Sequence, residues 1–325
     1  MKPRQTALRN EPHEVSFRPA LVRGKKSGEL FITLKTRNCP WGRCLFCGLG
    51  KTDGEKPPLM HEEAAAQARR SIDSFVKEGG KPDQVGKVSI ITNSDSVFNP
   101  LTVSPEALPV MLEIIGKELP ALSAIEFESR AEFIRAGALL ELSQHMGGIF
   151  GGAQIARSIC VGIESPHESV RNAIRKGLPD SLLFKAAGEA EKANLGLRGY
   201  FIYNLIEPEG VGRAQNLIAA VDLMANLAAT APGLPSVSIL VIRGYVPGEF
   251  AATPLFLRFA EVPDAVALRE LQQAAVYAKT QGVRFEVDST TADQQNAASL
   301  TFMSPSYIAA LVRYNTTLNP EQLKL

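Results

Sequence analysis

Residues 30–48 read LFITLKTRNCPWGRCLFCG, an apolar run followed directly by a loop that holds three of the chain's four cysteines. Residues 30–34 have the β-favouring composition of a buried strand. Cys39, Cys44 and Cys47 then fall within nine residues. Closely spaced cysteines are typical of metal ligands, and three thiolates at an iron–sulfur cluster leave one iron free to bind another group. The stretch therefore predicts a strand that leads into a metal-binding loop with one open coordination position.

The composition is that of an ordinary globular chain. Of 325 residues, 45% are hydrophobic and 21% are charged, which is enough apolar material for a sizeable core. The sequence has no run of eighteen apolar residues and no pattern of a secretory leader, so we expect a cytoplasmic protein without a membrane span. In a reducing cytoplasm, clustered cysteines bind metals more often than they form disulfides. Cys160, alone in an apolar run, is predicted to be a small buried hydrophobic residue.

Positive charge is concentrated in the first part of the chain. Residues 1–51 contain eleven Lys and Arg against three Glu, although the whole chain has a net charge of only +1. The cysteine loop lies in this basic part. Such a bias attracts phosphates or an anionic substrate. A solvated basic tail would give the same composition, so the sequence leaves both interpretations open.

Apolar, β-favouring runs alternate with helical patterns along most of the chain, which is typical of βα units around a parallel sheet. Right-handed crossovers would curl such a sheet into a barrel or part of one. Beyond residue 250 this alternation weakens to a helix, a short strand and a second helix. The predicted strands of the barrel are residues 30–34, 88–92, 124–128, 159–163, 200–205 and 237–242, and the short later strand is 283–287.

The motif Cys39-x4-Cys44-x2-Cys47 after a strand, in a chain of six βα units, resembles the radical S-adenosylmethionine (SAM) superfamily. The likeness is greatest to the branch that contains the radical SAM subunit of elongator and the archaeosine-forming enzyme. Most members have three residues between the first two cysteines, whereas this chain has four. The resemblance implies an α/β fold with a partial (β/α)6 barrel of the radical SAM type at residues 28–250. A basic extension at residues 1–27 would precede it, and a small α/β segment at residues 251–325 would cap the substrate or pack on the barrel.

The resemblance also implies two cofactors, a [4Fe-4S] cluster on the three cysteines and SAM at the carboxyl ends of the strands, where parallel barrels bind ligands. Phe46 would pack near the adenine, Glu164 would meet the ribose, and Lys176 would pair with the carboxylate. A segment after the second predicted strand would meet the methionine amino group. The full set of implied SAM contacts is Phe46, Asn93, Ser94, Asp95, Ser96, Glu128, Glu164, Lys176 and Asn204. Carboxylates and a lysine are the partners that an ammonium, a ribose diol and a carboxylate require.

The implied reaction begins when one electron passes from the reduced cluster to SAM. The carbon–sulfur bond breaks to give methionine and a 5′-deoxyadenosyl radical, which abstracts hydrogen from a substrate. An electron donor such as flavodoxin or ferredoxin is required, and the expected substrate is a small molecule or a tRNA nucleoside. No cobalamin-binding domain precedes the predicted barrel, and the cysteines are too few for a second conventional cluster. Cobalamin-dependent methylation and sulfur insertion are therefore not expected.

A zinc-binding structural or RNA-binding module is the alternative interpretation of the cysteines, with one of the four histidines as the fourth ligand, of which His61 is the nearest in sequence. The strand-end residues also have plainer interpretations. Glu128 and Glu164 would then be ordinary carboxylates paired with Arg130 or Lys176. Asn93, Ser94, Asp95 and Ser96 would be turn residues, since these residue types favour turns.

The residues that meet the substrate are the least defined by the sequence. Tyr203, Asn204, Arg243 and Tyr245 lie at the ends of the fifth and sixth predicted strands. They would face the mouth of the barrel and the substrate. A second interpretation places Asn204 and Glu207 on SAM and the others in packing, and both stay open.

Overall fold

The computed structural model describes residues 9–37, 39–45, 57–151, 155–203, 205, 212–242, 262–289 and 303–325. In this part of the chain, eight strands form one sheet whose spatial order follows the sequence from the first strand to the last. The strands are β1 (Glu14–Val22), β2 (Lys25–Leu34), β3 (Val85–Thr92), β4 (Ala124–Ser129), β5 (Ala156–Glu164), β6 (Gly196–Ile202), β7 (Val237–Ile242) and β8 (Arg284–Val287).

Helices connect the parallel strands β2 to β8. The connecting helices are α1 (His61–Lys77), α2 (Ala107–Glu118), α3 (Ala136–Ile149), α4 (Glu168–Ala173), α5 (Asp180–Lys192), α6 (Arg213–Thr230) and α7 (Asp264–Thr280), and α8 (Pro305–Asn315) follows β8. Because each crossover moves one strand further in the same direction, crossovers of one hand place the helices on one face of a curled sheet. The predicted α/β partial barrel is confirmed. Of the helices described, none has the length and apolarity that crossing a bilayer requires.

The edge strand β1 is absent from the predicted strands. It runs antiparallel to β2, to which a turn at Arg23 and Gly24 connects it, and both turn residues have positive φ. Arg18 and Pro19 interrupt its apolar pattern, which is why the sequence does not show it. A proline is tolerated on an edge strand because no neighbour needs its N–H. Residues 14–22 therefore belong to the sheet, and the interpretation as a solvated tail does not apply to them.

The hydrophobic core lies between the helices and the outer face of the sheet. In β2, Leu30, Ile32 and Leu34 are fully buried, and they share one cluster with Ala68 of α1 and Met111 of α2. A second cluster combines β5 to β8 with the helices α5 to α8. Alternate residues of each strand point to the opposite, inner face of the sheet. The residue types on that inner face can therefore differ from those in the core.

Buried charges occupy that inner face. Glu29 of β2 lies 2.7 Å from Arg18 of β1 and 2.7 Å from Lys87 of β3. Lys87 also lies 3.2 Å from Glu126 of β4. All four side chains are almost fully buried. Buried ions are tolerated when they are paired and hydrogen-bonded, so this chain of alternating charges links four adjacent strands inside the barrel.

Arg198 of β6 extends the same network. Its guanidinium lies 3.1 Å from Glu126 and 3.1 Å from Glu286 of β8. Burial alone would raise the pKa of Glu286, but Arg198 and Arg284 outweigh it and hold that pKa at about 2. Burial likewise opposes the charge of Arg198, yet the nearby carboxylates raise its pKa well above the usual range. Arg198 is thus the cation that the β4 and β8 carboxylates share, while Lys87 also pairs with Glu126 and Arg284 with Glu286.

Side chains also bridge the two edges of the sheet. Arg18 of β1 lies 3.1 Å from Asp288, the residue that follows β8. Arg284 of β8 donates a hydrogen bond of 2.5 Å to the backbone oxygen of Leu21 in β1. The first and last strands therefore lie close together. Charged side chains connect these two edges of the sheet, between which no backbone pairing is described.

Candidate active site

Several residues predicted to bind the cofactors come together at the carboxyl ends of the strands. The thiol of Cys44 interacts electrostatically with Lys176, Glu164 and Cys39. The carboxyl of Glu128 at the end of β4 interacts with the same Lys176 and Glu164. Parallel strands bring their carboxyl ends to one edge, and here the ends of β4 and β5, the turn that bears Lys176 and the cysteine loop supply one cluster of charges.

A short ion pair forms the centre of this cluster. The Nζ atom of Lys176 lies 2.7 Å from Oε1 of Glu164, and both side chains are largely buried. Glu164 ends β5 with a φ of 71°, a left-handed conformation that non-glycine residues rarely adopt. Burial opposes the charge of Lys176, but Glu164 and Cys44 outweigh it and raise its pKa above the ordinary value. A backbone strained in this way is common at functional sites, where the surrounding structure holds it in place.

Gly162 makes room for the pair. A Cβ atom at this position would stand 2.8 Å from Oε1 of Glu164 and 2.9 Å from Nζ of Lys176. Real Cβ atoms essentially never make contacts that short. Only a residue without a side chain at this position therefore leaves room for the ion pair. The sequence Val161-Gly-Ile-Glu164 therefore provides both the carboxylate and the space that it needs.

The cysteine loop is held against the turn that carries Lys176. The backbone N–H of Leu45 donates to the oxygen of Ile174 at 3.0 Å. The indole N–H of Trp41 donates to the oxygen of Arg175 at 2.8 Å. The Trp41 ring packs on Gly177, where a Cβ atom would stand only 2.3 Å from it. These contacts fix the segment between Cys39 and Cys44 relative to the ion pair.

Gly177→Ala should loosen this attachment, because an added Cβ would meet the Trp41 ring and the φ of +66° disfavours any side chain. We expect the variant to lose about 1–3 kcal/mol of stability. Thermal unfolding measures this effect. Gly188→Ala in α5 is the matched control, since a Cβ there meets no atom within 4 Å. Equal behaviour of the two variants would contradict the role given to Gly177.

Arg171 is a buried arginine that no sequence pattern indicates as a site residue. Its side chain is 0% exposed. It donates to the backbone oxygens of Ser165 and Pro166, both at 2.9 Å, and of Leu178 at 2.7 Å, and it pairs with Asp180. These contacts tie both ends of the segment between Glu164 and α5. Arg171 thereby positions the turn that bears Lys176.

Arg130 also contributes without having been predicted as a site residue. Its guanidinium lies 5.0 Å from the centre of the Trp41 ring, a cation–π distance. It donates to the backbone oxygen of Lys176 at 3.3 Å and is one of the two cations near the Cys44 thiol. Burial raises the pKa of Cys44, while Lys176 and Arg130 counteract that rise. Two cations thus stand where a thiolate ligand would carry negative charge.

The segment from Asn93 to Ser96 follows β3, and its side chains bond mainly to the protein. Oδ1 of Asn93 accepts from the backbone N–H and the hydroxyl of Thr36, at 2.8 and 2.9 Å. The Ser94 hydroxyl lies 2.8 Å from that of Thr36. Asp95 accepts from Asn99 and Thr102 at 2.7 Å each, and Ser96 lies 2.8 Å from Ser129. These intramolecular hydrogen bonds agree with the turn interpretation, and contact of the four side chains with SAM stays a prediction.

Glu128 has an unusual protonation equilibrium. Removal from water raises its pKa to about 7, the like charge of Glu164 contributes in the same direction, and Lys176 offsets part of the shift. The side chain is nevertheless only partly buried. A carboxyl in this state can act as a neutral donor or as a charged acceptor near neutral pH.

Glu128→Gln should make the apo protein more stable at pH 8. Above about pH 7 the wild-type carboxyl is charged in the folded state at a desolvation cost, so we expect Gln to gain about 1–3 kcal/mol there. The gain should shrink as the pH falls from about 7 and vanish below about 4.3, where the carboxyl is neutral in both states. Urea unfolding across this range measures it, with Glu141→Gln on the exposed side of α3 as control. A gain that does not vary with pH would contradict the raised pKa.

Two other predicted residues have clear positions. Tyr203 is 1% exposed and donates to Glu270 of α7 at 2.5 Å, so the packing interpretation is confirmed for it. Cys160 is 0% exposed, which confirms its burial. Its surroundings are polar rather than apolar, because it lies on the inner face and hydrogen-bonds with Tyr200 near Glu126. The expectation of an apolar setting is wrong because the residue alternates with Ile159 and Val161, which face the core.

The remaining predicted site residues lie outside the described residues. These are Phe46, Cys47, Asn204, Glu207, Arg243 and Tyr245. Cys39 and Cys44 are both free cysteines. Within the described ranges, no three His, Cys, Asp or Glu side chains gather as a preformed metal site. His61, the proposed zinc ligand of the alternative interpretation, begins α1 and lies 3.1 Å from Glu62.

Comparisons with known proteins give similarities at low identity. No protein-family model matches the chain. An uncharacterized protein of Methanocaldococcus jannaschii is 28% identical over 207 residues, which cover 62% of this chain and 54% of that protein. The chain thus spans about half the length of this curated relative.

Two solved structures are similar in fold. The archaeal Elp3 of Methanocaldococcus infernus, with its N-terminus deleted, is 12% identical and has a TM-score of 0.45, covering 75% of this chain and 59% of Elp3. The cobalamin-dependent S-adenosylmethionine radical enzyme OxsB, with aqua-cobalamin bound, is 20% identical and has a TM-score of 0.40, covering 59% of this chain and 26% of OxsB. At these identities and TM-scores the likeness carries no argument about the chemistry of the site, which depends on this chain's own residues.

Proposed function

We propose that this protein is a radical SAM enzyme. It binds a [4Fe-4S] cluster through Cys39, Cys44 and Cys47, cleaves SAM reductively, and abstracts hydrogen from a small metabolite or a tRNA nucleoside. One observation carries the proposal: the cysteine loop is attached to the turn that bears Lys176, beside the carboxylates of Glu164 and Glu128. The thiols are soft metal ligands, and the charged groups suit an amino acid.

The residues around Cys44 fit an iron–sulfur cluster. Cluster ligands are thiolates, and metal binding itself removes the thiol protons. A cluster with three thiolates is an anionic group in a partly buried place, which requires compensating charge. Lys176 and Arg130 provide it, since both lower the pKa of Cys44. When bound, the reduced cluster would supply the electron that splits SAM into methionine and a 5′-deoxyadenosyl radical.

The ion pair and Glu128 fit the polar groups of SAM. A lysine ammonium has three donors, so Lys176 can hold Glu164 and a carboxylate of the ligand together. A carboxylate accepts several hydrogen bonds, which allows Glu164 or Glu128 to accept from an ammonium or from ribose hydroxyls. The charges of this group, two carboxylates and one lysine, complement a zwitterionic amino acid. The protein's part is to orient the ligand and to keep water away from it.

Lys176→Met should weaken SAM binding by about tenfold or more, since a buried charge-assisted hydrogen bond is worth roughly 2–5 kcal/mol when one partner is removed. The iron content after anaerobic reconstitution should stay near that of the wild type, because Lys176 is not a ligand. Equilibrium dialysis with labelled SAM measures the affinity. Lys192→Met is the matched control, since Lys192 is exposed and pairs with Glu189 on α5. Unchanged SAM affinity in Lys176→Met, with a full cluster, would remove Lys176 from the site.

A further inference from the structure

A cavity of about 740 Å³ lies at the amino ends of the parallel strands, at the end of the barrel opposite to the cysteine loop. The residues that begin β4 and β5, Ala124 and Ala156, line it, and so does Val22 at the end of β1. Pockets that bind small molecules typically have about 300–1,000 Å³. The cavity therefore has room for a small organic ligand, and it shares no lining residue with the candidate active site.

Small side chains keep this end of the barrel open. Closed parallel barrels usually fill their interior with layers of bulky branched side chains. Here alanine or serine occupies the inner-face positions of four strands at this end, which are Ala20, Ala124, Ala156, Ser158 and Ser238. The open volume is therefore a consequence of the residue types that the sequence places there.

Buried cations with unused donors form the floor of the cavity. The Lys87 side chain is 10% exposed, and its ammonium has three N–H donors. Glu29 and Glu126, at 2.7 and 3.2 Å, account for two of them. Arg198 has five donors and directs at most four of them to Ser238, Glu126 and Glu286. Each cation thus has a donor left for an acceptor inside the cavity.

The charges around the cavity do not balance. Two carboxylates line it, those of Glu29 and Glu286. When Arg18, Glu126 and Asp288 behind the wall are included, six cations stand against four carboxylates. An excess of positive charge in a partly enclosed space attracts anions. The five cations that line the cavity are Arg23, Lys87, Arg157, Arg198 and Arg284.

Arg157 of β5 contributes most clearly to this excess. It is half-buried, and its side chain forms no ion pair with any residue that the structure describes. A guanidinium presents a planar fork of donors that matches a carboxylate or a phosphate. Such a group beside buried cations is suited to hold the charged end of a ligand.

One wall of the same cavity is apolar. Met146 and Phe150 at the end of α3 line it, together with Ile155 before β5. Met146 is buried, whereas Phe150 and Ile155 are half-buried. Typical small-molecule sites combine such apolar walls with a few polar groups that fix the orientation of the ligand.

We propose that this cavity binds a small organic anion, a carboxylate or phosphate group attached to a short apolar chain. The anionic group pairs with Arg157 and the free donors of Lys87 and Arg198, and the chain lies against Phe150 and Met146. The proposal does not depend on the proposed function, because every residue that it uses lies at the opposite end of the strands.

A purely structural role of the buried charges is the alternative. Paired buried ions connect strands without any ligand, which accounts for the contacts of Lys87 and Arg198 with the carboxylates. It does not account for the open volume beside them or for Arg157. The observations therefore favour a ligand, and the structural role becomes an outcome of the test.

The test measures binding of three probes to the cluster-free protein by titration calorimetry. Hexyl phosphate and hexanoate carry the two candidate anionic groups, and 1-hexanol is their neutral counterpart. We expect one equivalent of at least one anion to bind to the wild type, and 1-hexanol to bind far more weakly. The tighter of the two anions identifies the preferred group.

Two variants locate the binding. Arg157→Gln should weaken it by about tenfold, as expected for the loss of a charged hydrogen-bond partner. Ala156→Leu should abolish it, because the larger side chain fills space at the exposed start of β5. Arg69→Gln on α1 and Ala138→Leu on α3, both at exposed positions that do not line the cavity, are the matched controls. Thermal unfolding without probe checks that each variant is folded, and Arg157→Gln decides if Ala156→Leu does not fold.

Four results would overturn the proposal. They are the absence of binding of both anions to the wild type, equal binding of 1-hexanol, wild-type affinity in the folded cavity variants, and an equal loss of affinity in the controls. The first would leave the buried charges with a structural role alone. None of the four bears on SAM cleavage, so failure here is distinct from failure of the proposed function.

Discussion

Cys44→Ala is expected to remove the cluster and with it all cleavage of SAM. Cys44 is buried and lies among the charged groups of the site, so its loss leaves at most two of the three thiolate ligands. Iron on anaerobic reconstitution should fall from about four atoms per chain to near zero. The formation of 5′-deoxyadenosine should fall to the level of iron-free protein. Iron and sulfide analysis and mass spectrometry measure these losses.

Cys160→Ala is the matched control for this variant. Cys160 is also a free, buried cysteine, but it lies on the inner face of β5 and is not predicted as a ligand. It should keep its iron and its SAM cleavage. Full iron in Cys44→Ala, or an equal loss of iron in both variants, would contradict the assignment of the ligands.

The second large effect is expected from Arg198→Met, which should lower the free energy of unfolding by about 3–5 kcal/mol at pH 7. The substitution keeps the apolar stem but leaves Glu126 and Glu286 buried without their shared cation. Glu126 keeps Lys87 and Glu286 keeps Arg284 as partners, but each buried carboxylate loses one of its cations, and the weaker compensation makes its burial more costly. Urea unfolding of the apo protein measures the loss. Arg313→Met, at an exposed position of α8, should cost much less.

The loss should also depend on pH. The pKa of Glu286 is about 2 in the folded protein and about 4.3 in an unfolded chain. Its contribution to stability is therefore present above about pH 4.3 and is lost as the pH falls towards 2. The difference between wild type and Arg198→Met should shrink in the same direction. A loss below about 1 kcal/mol at pH 7, or one that grows on acidification, would contradict the ion network.

Seven of the eight described strands were predictable because their sequences carry a strong signal. Strands β2 to β8 overlap the predicted runs, since buried parallel strands are rich in β-branched and aliphatic residues. The bounds of β6 differ from the prediction, because the strand runs from Gly196 to Ile202 instead of 200–205. Strand β1 was not predicted, because Arg18 and Pro19 interrupt its apolar pattern. The ion pair with Glu29 explains how a buried arginine is tolerated there. The alternation of Lys87, Val88, Ser89 and Ile90 does carry a period of two. That period could have indicated the polar inner face.

The candidate site was predictable in its location but not in its geometry. The rule that strand ends converge is sufficient to bring Glu128 and Glu164 together. The direct pairing of Glu164 with Lys176 depends on the left-handed backbone conformation of Glu164, which no residue pattern predicts. Arg171 likewise gives no signal, because an arginine in a short polar helix is usually exposed. Its role comes from four backbone and side-chain acceptors that only the folded chain assembles.

The most direct test is anaerobic reconstitution of the wild-type protein with iron and sulfide, followed by reduction with dithionite in the presence of SAM. We predict a brown protein with about four iron atoms per chain, absorption at about 400 nm, and formation of 5′-deoxyadenosine together with methionine. A colourless protein that binds one zinc ion through the same cysteines and releases no 5′-deoxyadenosine would contradict the proposal.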